Sequence, residues 1–164
     1  LNPAAATPHP AEHIEFWPDH PERPEICNWR ARPRNFSLHG HHTIDVLGLN
    51  GGGTLELRSV YIRSYIQVQI AALRRSLIKG TLEDIEWEWE RAWNLLTAKY
   101  PYIVASADAF RYHIPDTELQ AKLGVRWPAP RELPGVTALR PRCAIDQVPT
   151  RDLHPLIMPS AEGT

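Results

Sequence analysis

Apolar positions recur at helical spacing through the middle of the chain. Between Thr54 and Lys79, Ile62, Ile66, Ile70, Leu73 and Leu77 share one side of a helix. Arg74, Arg75 and Lys79 suit the negative end of that helix, and Gly80 provides a C-terminal stop. Thr81 opens a second helix, with Asp84 three residues on as a variant of the capping box. Leu82, Ile85, Trp89, Ala92, Trp93 and Leu96 form its apolar face, and Tyr100-Pro101 ends it. The link is so short that the two helices must fold back on each other as a hairpin. Their charges are complementary: Arg58, Arg63, Arg74, Arg75 and Lys79 on the first face Glu83, Asp84, Glu86, Glu88 and Glu90 on the second. A further helical segment is predicted over Tyr102 to Tyr112, and a short one from Thr117 to Leu123, stopped by Gly124. Upstream, Phe36, Leu38, Ile44 and Val46 alternate, which predicts a small β-hairpin over Asn35–Leu38 and Thr43–Leu47. Asn50-Gly51-Gly52-Gly53 reads as a flexible break.

Proline frames this middle. Seven of the 16 prolines precede Asn35 and seven more run from Pro128 to Pro159. Proline lacks a backbone N–H and drives its predecessor toward extended geometry. The expected class is therefore mainly α: a short helical-hairpin core over residues 35–126, with extended proline-rich arms over 1–34 and 127–164. The arms are too apolar for solvated tails. Phe16, Trp17, Ile26 and Trp29 lie in the first, and Trp127, Leu133, Val136 and Leu139 in the second. Such side chains need a surface, either the protein's own helices or another chain. Trp17, Trp29 and Trp127, with Arg140 and Arg142, are the expected partner-binding residues of the arms. Trp87 joins them because it lies off the helical stripe among acids, where an arm or a partner would cover it.

Net charge is −1, so nothing global attracts nucleic acid or an anionic membrane. Arg140, Arg142 and Arg151 are interspersed with Glu132, Asp146 and Asp152, which favours protein over nucleic acid as a partner. No apolar run reaches the length of a membrane span. Cys27 and Cys143 are too few for a disulfide framework and are expected as separate thiols. The chain opens on Leu1 rather than Met, which fits processing, fragmentation or part of something longer.

The candidate chemistry is sparse. Six of eight histidines fall in the first 42 residues, and His41, His42 and Asp45 offer two imidazoles and a carboxylate for a transition metal. Gly40-His41-His42 also resembles the short signature of the Gly-His-His nuclease toxins of the His-metal-finger class. That resemblance covers three residues and implies that one histidine activates water beside a divalent ion. The downstream Asn and His ligands of that class have no match here. The Gly51–Gly53 run lacks a following Walker lysine. Glu86, Glu88 and Glu90 diverge by about 200° between neighbours two apart on a helix, so they cannot converge on one atom.

Three functions fit these features. The first is a non-catalytic accessory subunit of a large assembly, stabilising neighbouring protein subunits through its arms and requiring no cofactor. Its organellar version, as in mitochondrial respiratory, ATP-synthase or ribosomal complexes, would sit on the matrix side. The second is a metal-dependent nuclease-like domain using His41 and His42. The third is a free-standing helical module that grips one protein.

Overall fold

The structure, a computed structural model, describes residues 10–24, 26–97 and 99–134. The long apolar stripe forms one continuous rod built of α3 (Gly52–Tyr61), a π turn (Ile62–Ile66) and α4 (Gln67–Lys79); the shorter helices α1 (Pro10–His13) and α2 (Leu38–Val46) precede it. The π turn has a cause in the spacing. At 3.6 residues per turn, the four-residue steps Ile62–Ile66–Ile70 would each carry the stripe about 40° around the rod. A wider turn absorbs that drift, and all three isoleucines are buried.

α5 (Leu82–Asn94) begins as expected. The Thr81 hydroxyl accepts from the Asp84 N–H at 3.2 Å, while the Asp84 carboxylate accepts from the Thr81 N–H at 2.8 Å. Gly80 is required by space rather than by a left-handed turn: its φ is −81°, and a Cβ there would lie 2.7 Å from the Ser76 carbonyl oxygen. The α4–α5 hairpin is not joined by the expected charge pairing. Instead the Gln69 side-chain amide donates to the Glu88 carboxylate at 2.7 Å and to its backbone carbonyl at 3.1 Å. Leu82, expected on the apolar face, is exposed. α6 (Ile103–His113) and α7 (Asp116–Leu123) follow, and Gly124 closes α7 with a φ of 68°.

The β-hairpin lies elsewhere than predicted. β1 (Ile14–Pro18) pairs antiparallel with β2 (Trp29–Pro33), Ile14 opposite Pro33 and Pro18 opposite Trp29. In a two-stranded ribbon both strands are edges, and its prolines sit at strand ends, where no ladder donor is needed. The segment expected to be strands is instead a 3-10 turn (Arg34–Phe36) followed by α2. Ser37 caps α2 by accepting from the Gly40 N–H at 3.2 Å, and that local bond outweighs the alternating pattern. Of the four alternating residues only Ile44 is buried.

Within the described residues, the first arm is thus part of the protein's own body. β1 packs against α6, where the Phe16 N–H meets the Asp108 carboxylate. The start of the second arm is also internal: Trp127 and Leu133 are buried, and the Trp127 indole N–H donates to the Ile114 carbonyl at 2.8 Å. The arms meet in an ion pair between Arg131 and Glu12. Arg140, Arg142, Cys143 and the prolines after Pro134 lie outside the described residues. No helix among the described residues is long and apolar enough to cross a membrane.

Candidate functional site

Among the described residues two charged side chains are buried, both against the hairpin. Asp108 of α6 is 8% exposed and fully matched. One carboxylate oxygen accepts from the Phe16 N–H of β1 at 2.9 Å. The other accepts from Arg34 at 3.2 Å and Arg111 at 3.0 Å. Burial raises its pKa, against the opposing pull of Arg34, the Phe16 amide and Arg111. With its oxygens occupied by protein donors, Asp108 ties β1 to α6.

Arg58 of α3 is 1% exposed and only partly matched. Its Nε donates to the Trp29 carbonyl of β2 at 2.8 Å and its Nη1 to the Leu49 carbonyl at 3.0 Å. The guanidinium lies 4.7 Å from the centroid of the Phe16 ring. Its Nη2 has no hydrogen-bond partner among the described residues. No carboxylate among the described residues is within ion-pair distance. Burial lowers its pKa to about 10, with only the Tyr102 phenol pulling the other way. The guanidinium stays charged at neutral pH, and its burial works against that charge.

Arg58 forms part of the wall of an apolar cavity of about 440 Å3. Ile14 and Phe16 of β1, Leu47 and Leu49 after α2, and Tyr102–Ala105 at the start of α6 supply much of the rest. Tyr102 precedes α6 with a left-handed φ of 56° and offers no side-chain cap. The N–H groups of Ile103, Val104 and Ala105 therefore have no acceptor among the described residues.

The histidine motif is arranged differently. His41, His42 and Asp45 are exposed on α2, where adjacent side chains diverge by about 100°. No group of three potential metal ligands occurs among the described residues. Gly40 has a packing role, since a Cβ there would lie 2.1 Å from the His13 carbonyl oxygen. His13 in turn holds the capping residue, its Nδ1 2.8 Å from the Ser37 hydroxyl.

The expected partner-binding tryptophans divide. Trp29 and Trp127 are core residues; Trp127 stacks on Phe110 with centroids 5.0 Å apart. Trp17 is 39% exposed and edge-on to Tyr112, and Trp87 is 62% exposed. Apolar exposure is greatest elsewhere. Along the outer side of the α3–α4 rod, Leu57, Val60, Tyr65 and Val68 are all exposed. Phe36 is 92% exposed and Leu38 82%, and Phe36 follows Asn35 with both residues at positive φ.

By sequence Arg58 is one of five cations of the first helix set against the acids of the second. Its position one turn before Ile62 and three residues after Leu55 puts it on the core stripe, and extending the stripe backward would have found it. Asp108 carried no such signal, because its partners Phe16 and Arg34 are 92 and 74 residues away.

Comparisons with family models, curated proteins and solved structures find no match to this chain.

Proposed function

We propose that this protein is a non-catalytic accessory subunit of a multiprotein assembly, docking through the outer side of its long helix rather than through its first arm. The observation that carries the reading is the exposed row Leu57, Val60, Tyr65 and Val68. A helix apolar on one side needs only its own core, whereas this rod buries Ile62, Ile66, Ile70 and Leu73 and presents a second apolar side outward. Contiguous exposed apolar side chains of this kind characterise interaction surfaces. Their spacing along a rod suits the ridges of a helix from a neighbouring subunit. Phe36 and Leu38 are further exposed apolar side chains, and Trp87 is an exposed aromatic of the type enriched at binding hot spots.

The test is affinity purification from the native source, comparing the wild-type chain with a Leu57→Glu, Val68→Glu double variant. The wild type should recover a fixed set of protein subunits in constant proportion. The variant should lose them while keeping its helical circular dichroism and its melting temperature, since both positions are exposed. Recovery of the same subunits by both chains, or a monodisperse wild-type monomer that recovers none, would sink the reading.

A further inference from the structure

We propose that the cavity beside Arg58 binds an apolar monocarboxylate, with the carboxylate against the guanidinium and the first turn of α6. Three independent features converge there. The first is a guanidinium 1% exposed, with its Nη2 unpartnered and no counter-ion among the described residues. Buried cations are ordinarily paired, and a planar guanidinium matches a carboxylate through two parallel N–H bonds. The second is the start of α6, an 11-residue helix with no side-chain cap, whose unmatched amides favour an anion. Tyr102, at a φ of 56°, takes the backbone into that turn. Non-glycine residues hold such conformations where the surroundings over-determine them, often at ligand sites.

The third is the chemistry of the remaining wall. Ile14, Leu47, Leu49 and Val104 line a space of about 440 Å3. That volume falls within the range of small-molecule sites, which are mostly apolar with a few placed polar groups. One fixed cation and one helix end suit a single negative charge. A phosphate dianion would bring two charges and several strong acceptors to a wall with few donors. A hydrocarbon chain fills the rest, and a medium-chain fatty acid satisfies both halves of the site.

Decanoate is the probe, and decanol and acetate are its two halves tested separately. Isothermal titration should give one saturable site for decanoate, with a rise in melting temperature. Decanol and acetate at equal concentration should each bind at least about tenfold more weakly, as expected for loss of a charge-assisted pair or of the apolar contact. Arg58→Gln should weaken decanoate by a similar factor. Because Arg58 also holds the Trp29 and Leu49 carbonyls, that variant can shift the cavity wall as well as remove the charge. Thr54→Trp is therefore the second arm: Thr54 is exposed, lines the cavity one turn before Arg58, and can fill it without touching those bonds. A folded Thr54→Trp protein should lose decanoate binding. Equal binding of decanol, or undiminished decanoate binding by Thr54→Trp, overturns the proposal, because the fatty acid would then be adsorbing to exposed apolar surface elsewhere. Acetate binding as tight as decanoate removes the apolar half of the claim and overturns it as well.

Discussion

Asp108 and Arg58 are both buried charges that hold the same β-hairpin, one through β1 and the other through β2. The anion is surrounded by protein donors. The cation has two backbone carbonyls, an aromatic face and a buried Nη2 with no hydrogen-bond partner among the described residues. A buried charge with all its partners is structural, and its loss leaves other groups stranded. A buried charge with an unfilled edge is a disadvantage to the fold by itself, and points to something the fold was shaped to receive.

Mutation separates the two cases. Asp108→Ala strands the Phe16 N–H and leaves Arg34 and Arg111 without their shared anion. Unfolding by urea should show a loss of about 3 to 5 kcal/mol, the range for breaking a buried pair. Asp108→Asn keeps acceptors for two of those donors and should lose less than half as much. Equal losses for the two variants would show that the charge itself, not the hydrogen bonding, fastens β1 to α6.

Gly40→Ala probes the same hairpin through packing alone. A methyl group 2.1 Å from the His13 carbonyl oxygen must displace backbone. A loss of about 3 kcal/mol is expected by denaturant titration, at the upper end for overpacking. His41→Ala and His42→Ala, on the exposed part of the same helix, should stay within about 0.5 kcal/mol of wild type.

Arg58→Leu should be far milder than Asp108→Ala. It strands the Trp29 and Leu49 carbonyls but also removes the disadvantaged charge. The two effects offset, and a net change within about 1 kcal/mol is expected by urea titration. A loss as large as that of Asp108→Ala would mean that Arg58 is structural in the same sense.

The smallest effect is in acid. The Asp84 carboxyl is held below its ordinary 3.8 by the Thr81 N–H and hydroxyl. A lowered folded-state pKa adds stability above 3.8 that is lost as pH falls through the folded value. Asp108 has the opposite sign, because its raised pKa makes protonation favour the folded state. Thermal melts below about pH 4 should therefore fall less steeply in Asp84→Ala than in wild type.

The helical hairpin, the capping box at Thr81 and the stop at Gly124 follow from bonds and burial within a few residues along the chain. The stripe from Ile62 to Leu77 also carried, in its four-residue steps, the reason for the π turn. Proline misled for a local reason as well: it forbids a central strand but not the ends of a two-stranded ribbon, so the apolar arm of residues 10–33 was read without its partner strand. Whether a tryptophan is core or surface was not readable either. Trp17 and Trp29 lie in the same proline-rich arm, yet Trp29 is buried and Trp17 is exposed.

By itself the sequence determined the helices from α3 onward and the cap at Thr81, because those outcomes depend on neighbours three or four residues away. Tertiary structure alone decided that the first arm joins the core, that Asp108 is matched and that Arg58 is not. Those outcomes depend on contacts up to 92 residues apart, and no local pattern of side chains records which distant donor will fold against a given charge.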